Sequence, residues 1–152
     1  MDPRLIDLFD RLPTTATYAD LKFDDVNAVN IEGDNALHSA AHANDLEAAQ
    51  LLVDAGINVN QHGDLGYTPL HEACAGGHRD MVLLLIRHGA DLHARDEGEV
   101  PFTLARRRGH DDICDLLGPL MKDAQEKDPD VHLRGRIESL ERQLRRLRAL
   151  PK

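Results

Sequence analysis

Apolar residues recur along this chain at helical spacing. Leu5, Ile6, Leu8, Phe9 and Leu12 predict a short amphipathic helix over residues 3–12, which Pro13 ends. Thr68 and Pro69 open another: threonine can cap a helix, and proline in the first turn removes no intrahelical hydrogen bond. That helix runs to about Ala75, where Gly76 and Gly77 can take positive φ and end it. A further helix over residues 79–88 carries Met81, Val82, Leu84, Leu85 and Ile86 on a broad apolar face, and Gly89 stops it. The polar stretch that follows, up to Gly98, reads as a hairpin-like finger.

The pattern repeats. Displaced by 33 residues, Gly66, Leu70, His71 and Ala73 fall on Gly33, Leu37, His38 and Ala40. Gly89 falls on Gly56, and Val59-Asn60 on Val26-Asn27. Displaced by 32, Gly66, Pro69, Ala73, Gly77 and His78 meet Gly98, Pro101, Ala105, Gly109 and His110. Each unit is helix, turn, helix, finger. No such unit can bury its own apolar face, so the units must stack.

The string Thr68-Pro69-Leu70-His71-Glu72-Ala73, the Gly-His turn at Gly77-His78 and Gly89-Ala90-Asp91-Leu92 make the chain resemble the ankyrin-repeat family between about Val26 and Leu117. The expected fold is an all-α repeat solenoid with an appended C-terminal amphipathic helix. Its parts are an N-terminal helix and capping half-repeat (1–29), ankyrin repeats including a C-terminal cap (30–121), a linker (122–130) and a basic amphipathic helix (131–152). The resemblance implies that His38 and His71 hydrogen-bond backbone near the neighbouring finger. His78 and His110 share a turn position, and recurrence at the period of the scaffold argues for a structural role. The first repeat, Asn30 to Gln61, departs from the family string: Asn35-Ala36 replaces Thr-Pro and Asn44-Asp45 replaces Gly-His, so its helix start is less sharply specified. In the third, Arg106 stands where Cys74 stood, which suggests a solvent-facing end. Phe102 and Thr103 replace Leu70 and His71 there.

Beyond the repeats, Gly118-Pro119 is expected to break the helix and Lys122–Asp130 to form a polar linker with some helix at its start. Leu133, Ile137, Leu140, Leu144 and Leu147 then follow at spacings of 4, 3, 4 and 3, an a/d stripe. Glu138–Arg142 and Glu141–Arg145 are favourable i, i+4 pairs. Three readings stand. The stripe can self-associate into a homodimer through residues 131–150; the helix can fold back on the repeats, stripe inward; or its arginines can meet acid on nucleic acid, a membrane surface or the chain's own acidic half.

Charge sharpens this picture. Of 18 Lys/Arg and 27 Asp/Glu, residues 1–130 hold 11 and 25, and residues 131–152 hold 7 and 2. So acidic a body is a poor ligand for nucleic acid and a better one for a basic or mixed-charge protein. Aromatic residues are only 3% of the chain, which suits a thin structure packed with Ala, Leu and Val. Cys74 and Cys114 lie in apolar helical patterns with no paired spacing, so they read as small hydrophobes of a reducing compartment. Neither a signal peptide nor a membrane span is evident, and a cytoplasmic location is expected.

Nine histidines invite a metal hypothesis, but only His38 and His42 have an i, i+4 spacing, and His38 already has a scaffold role. No metal or cofactor is expected, and with no nucleophile-elbow, P-loop, zincin or dinucleotide-binding string, no enzymatic activity. By resemblance, the function is a protein-interaction module that binds a partner on the concave face of fingers and first helices. The candidate residues are those that stacking does not require: Glu32, Asp34, His42, His62, Asp64, Leu65, Tyr67, Glu72, Glu97, Glu99, Arg107 and Arg108. Tyr67 is either an interface anchor or a residue packed on the adjacent finger. Alternatives are an immunity protein that neutralises a cognate toxin, or a homodimeric scaffold assembled through the C-terminal helix.

Overall fold

The computed structural model describes residues 2–11 and 25–150. Residues 12–24 of the expected N-terminal helix and capping half-repeat (1–29) lie outside them. Helices are α1 (Pro3–Arg11), α2 (Ala36–Ala43), α3 (Leu46–Asp54), α4 (Pro69–Gly76), α5 (Arg79–Arg87), α6 (Pro101–Arg108), α7 (Asp111–Lys127) and α8 (Val131–Ala149). Extended pairing among the described residues is limited to an isolated Val29–Asn35 bridge. The expected solenoid is present: α2, α4 and α6 stack as an inner row, and α3, α5 and α7 as an outer row. Helix α1 packs on α3 with Leu5, Leu8 and Phe9 buried.

Stacking is what buries the apolar faces. Leu37, Leu52, Leu70, Met81, Leu85 and Leu104 are all fully enclosed, and the spaces between them are filled by Ala40, Ala49, Ala73 and Ala105. Small residues on the inner row let the helices approach closely, which explains a core built almost without rings. Cys74 belongs to this core, and burial pushes its thiol up to about 12. It behaves as an inert apolar residue.

Histidines and asparagines tie one repeat to the next. In α4, His71 Nδ1 accepts from the Thr68 N–H at 3.1 Å and lies 2.9 Å from Thr68 Oγ1. The remaining ring nitrogen, Nε2, therefore carries the proton and faces the Glu99 carbonyl of the following finger at 3.4 Å. His38 repeats the arrangement, with Nδ1 accepting from the Asn35 N–H at 3.1 Å and Nε2 facing the Tyr67 carbonyl at 3.0 Å. The Gly-His histidines reach the other way. His78 Nε2 lies 3.2 Å from the His42 carbonyl, and His110 Nε2 lies 3.1 Å from the Ala75 carbonyl, so each meets the end of the preceding inner helix. Gly77, at φ 73, closes α4 in the left-handed region, and a Cβ there would come within 2.6 Å of the His110 ring. A second ladder uses asparagine: Asn27 Oδ1 accepts from the Asn58 N–H at 2.7 Å, and Asn60 Oδ1 from the Asp91 N–H at 2.8 Å.

Three sequence expectations need correction. The first repeat is capped as sharply as the second. Asn35 accepts from the Leu37 N–H and completes a capping box with His38, while its Nδ2 donates to the Asn58 carbonyl at 2.9 Å. Asn44 takes the left-handed conformation at φ 56, which asparagine tolerates, and Asp45 caps α3 by accepting from the Ala48 N–H at 3.0 Å. Second, Gly118-Pro119 does not break α7, which continues to Lys127. A residue before proline avoids helical backbone because its Cβ and N–H meet the proline ring, and Gly118 has no Cβ. Third, residues 122–127 of the expected linker are therefore helical, leaving only Asp128–Asp130 between α7 and α8. Arg106, by contrast, is exposed as expected of a terminal repeat.

The caps give two predictions. Replacing Asn35 with Ala removes a helix cap and a link to the next finger, and should lower stability in urea by about 1–2 kcal/mol. His71 is held at about 4, below the usual histidine range, chiefly because burial disfavours the imidazolium. The unfolded chain thus takes up a proton near pH 6.5 that the folded chain refuses until about pH 4. Stability is fully present above pH 6.5 and falls as pH drops through that window, by on the order of 2–3 kcal/mol from this residue. Urea midpoints measured between pH 7 and 4.5 should show a shallower fall in His71→Gln.

Candidate interaction face and docked helix

Five of the candidate residues converge on the inner row. His42 of α2 meets Glu72 of α4 across the repeat boundary, Nδ1 to Oε2, at 3.1 Å. Arg107 of α6 pairs with Glu99 of the third finger at 3.1 Å. Tyr67 lies between them. Its ring stacks on the buried ring of His71, centroids 5.4 Å apart and planes 9° from parallel. It therefore packs on its own repeat's histidine, an arrangement the sequence did not suggest. Partial burial, followed by the nearby Asp96 carboxylate, raises the Tyr67 phenol; Arg107 opposes this, while Glu72 and Glu99 add to it. The face thus presents a neutral aromatic hydroxyl among carboxylates, fixed by a stacked ring beneath it.

The remaining candidates lie elsewhere. Asp34 serves the scaffold: its Oδ1 accepts from the Asp64 N–H at 3.1 Å and lies 3.8 Å from His38 Nε2. Gly63 leaves room for it, since a Cβ at that position would overlap the Asp34 carboxylate. Glu32, on the first finger, is exposed, and so is its neighbour Ile31, at 89%. Asp64 and Arg108 are exposed. Leu65 holds an unusual left-handed backbone at φ 53 on the tip of the second finger. With His62 and Glu97 it borders α8.

Helix α8 folds back on the second and third fingers. Ser139 Oγ donates to the Asp96 carbonyl at 2.6 Å, and Gln143 Nε2 to the Glu97 carbonyl at 3.0 Å. Arg146 pairs with the Glu97 carboxylate at 2.9 Å. Arg142 donates to the Arg95 carbonyl and lies 3.3 Å from His62 Nε2. Since His62 Nδ1–H donates to the Gly66 carbonyl at 2.9 Å, its Nε2 is free to accept from Arg142. Burial first, and the Arg142 charge in addition, hold His62 below the usual histidine range against the favourable Gly66 bond. The contact is close: only about 10 Å³ remains between Leu65, Gly66, Asp96, Glu97 and α8.

The docking face is not the one expected. The stripe of Leu133, Ile137, Leu140, Leu144 and Leu147 points outward, each residue between 51% and 65% exposed, so the inward-stripe reading is overturned. Gly135 and Ser139 are the buried residues of α8, on the opposite side. The fingers present backbone carbonyls, and these need donors and close approach rather than leucines. Arg142 turns to the fingers, and no ion pair joins it to Glu138, or Glu141 to Arg145, among the described residues. Gly135 was the readable signal for this face. A glycine inside an otherwise well-formed helix marks close backbone approach, and a Cβ there would sit 2.5 Å from the His93 carbonyl oxygen.

No group of three or more His, Cys, Asp or Glu among the described residues could hold a metal ion. No helix among them is long and apolar enough to cross a membrane.

The family profile described as ankyrin repeats, in three copies, matches residues 13–96 and 59–130. The chain belongs to the ankyrin-repeat family. It is 35% identical over 102 residues to protein phosphatase 1 regulatory subunit 27 of Mus musculus, covering 66% of this chain and 58% of that protein. It is 40% identical over 100 residues to the putative ankyrin repeat protein YahD of Escherichia coli (strain K12), covering 61% of this chain and 50% of that one. It is also 41% identical over 81 residues to the human 2-5A-dependent ribonuclease, covering 52% of this chain but 11% of that enzyme. The chain spans about half the length of the first two relatives. Ankyrin repeats are protein-interaction modules, and that is the class to which this fold belongs.

Docking of α8 through its glycine gives a prediction. Gly135→Leu raises intrinsic helix propensity yet collides with the His93 carbonyl. Amide exchange in α8 should accelerate at least tenfold in this variant while α4 and α5 keep their protection. Unchanged exchange in α8 would show that the helix does not depend on this contact.

Proposed function

We propose that the protein is a non-enzymatic adaptor that captures another protein on the inner face built from α2, α4, α6 and the fingers. The observation that carries this reading is the cluster of Tyr67, His42, Glu72, Glu99 and Arg107, drawn from three successive repeats onto one surface. Tyr67 is pre-ordered by its stack on His71, so its burial by a partner costs little conformational freedom. The carboxylates around it, within a strongly acidic body, favour a partner with a basic contact surface, mainly by speeding encounter. The name of the mouse relative, a regulatory subunit of a phosphatase, is of the same kind: a protein that acts through another protein. In this reading His62, Leu65 and Glu97 belong to the seat of α8, Asp34 holds the second finger in place, and Glu32, Asp64 and Arg108 form the rim.

Photocrosslinking in cells of the source organism tests the assignment. A benzoylphenylalanine placed at position 67 should yield a discrete protein adduct, and one at Gln50 on the outer helix α3 should not. Glu72→Lys with Glu99→Lys should weaken capture at position 67 by roughly tenfold or more, equivalent to about 1.4 kcal/mol or more. Adducts of equal yield at both positions, or capture indifferent to the charge reversal, would move the site away from this face.

A further inference from the structure

We infer that the outward leucine stripe of α8 is the seam of a parallel homodimer, in which a second copy of this chain covers it. Four observations converge. The first is the stripe: Leu133, Ile137, Leu140, Leu144 and Leu147 take the d, a, d, a, d positions of a heptad, and each is more than half exposed in the single chain. Five large apolar residues in one exposed row exceed what a helix in contact with water ordinarily carries.

The second is the docking side. Gly135 and Arg142 occupy f positions, and Ser139 and Arg146 occupy c positions, the part of a coiled-coil helix farthest from its partner; Gln143, at g, is the one docking contact that flanks the seam. The repeat body therefore sits behind α8, where it leaves the seam open to a second helix.

The third is charge complementarity, which also sets the direction. In a parallel pair, a g residue faces the e residue five positions later on the other helix. Here that places Arg136 opposite the Glu141 of the second copy, twice by symmetry. Both side chains are exposed and join no ion pair among the described residues. An antiparallel pair centred on Glu141 would instead oppose Arg134 to Arg148 and Glu141 to its own copy, both like-charge contacts.

The fourth is preorganisation. A stripe of little more than two heptads is short for free peptides, because each must also fold into a helix on association. Here α8 is already held as a helix by Ser139, Arg142, Gln143 and Arg146, so association does not bear that cost. A parallel pair places two repeat bodies on opposite sides of one seam, pointing the same way, and so presents two copies of the Tyr67 face.

Sedimentation of the whole chain over a concentration series decides the matter. The wild type should sediment at twice the chain mass, dissociating on dilution. Leu140→Glu with Leu144→Glu, two exposed positions whose change leaves the repeat core intact, should be monomeric with an unaltered circular-dichroism melt of the repeats. Arg136→Glu should weaken the dimer by roughly tenfold, and Arg136→Glu with Glu141→Arg should restore it. Wild type that remains monomeric throughout overturns the proposal, as does a dimer indifferent to Leu140→Glu with Leu144→Glu. A dimer lost in Arg136→Glu but not recovered by the swap overturns the parallel register. Capture at position 67 is read separately, so loss of either property leaves the other measurable.

Discussion

The stack rests on a second hydrogen bond to carbonyl groups where one finger meets the next. The Tyr67 carbonyl already accepts from the Gly63 N–H at 2.7 Å and the Glu99 carbonyl from the Asp96 N–H at 3.1 Å, and each oxygen has a further lone pair to offer. His38 and His71 supply that second donor from the inner helix of the preceding repeat, Nε2 facing the carbonyls of Tyr67 and Glu99. The same rings close the first turn of their own helices through Nδ1. One side chain thus fixes a helix start, a finger and the offset between neighbouring repeats. Only the neutral ring can do this, accepting at one nitrogen and donating at the other.

From that constraint the interaction face follows. Because His71 is locked in place, its ring offers a rigid platform, and Tyr67 lies flat on it. Glu72 of the same helix then meets His42 of the preceding one, and Glu99, whose carbonyl His71 holds, meets Arg107 of the next. The cross-repeat pair His42–Glu72 and the Glu99–Arg107 pair within the third unit together place charges from three units on this face. The surface is assembled by the periodicity, while its identity comes from positions the periodicity leaves free.

The end of the stack shows how a repeat protein stops. The third unit lacks a successor to cover its finger, and its exposed Arg106 and Thr103 stand where the second repeat has buried Cys74 and His71. Helix α8 is placed where donors are needed, and Ser139, Arg142 and Gln143 satisfy carbonyls of the last finger. Extension of α7 through Pro119 to Lys127 carries the chain to the point from which α8 can return.

The repeat, its helices, its capping threonine and its histidine register were legible in the sequence by themselves, because they are local choices that recur every 32 or 33 residues. The capping of the first repeat was underestimated only because Asn35, Asn44 and Asp45 do the same physical work with different letters. What the tertiary structure decided was direction. An amphipathic stripe shows that a helix has an apolar side, but not that another surface wants it. The fingers offered carbonyls and acid, so α8 turned its glycine, serine and arginines towards them and its leucines away. Likewise Asp34 and Tyr67 both read as finger residues that stacking does not require, yet one reached a backbone N–H of the next finger and the other a ring of its own repeat. Both outcomes depend on partners about 30 or fewer residues away in sequence and only ångströms away in space, which composition and spacing do not encode.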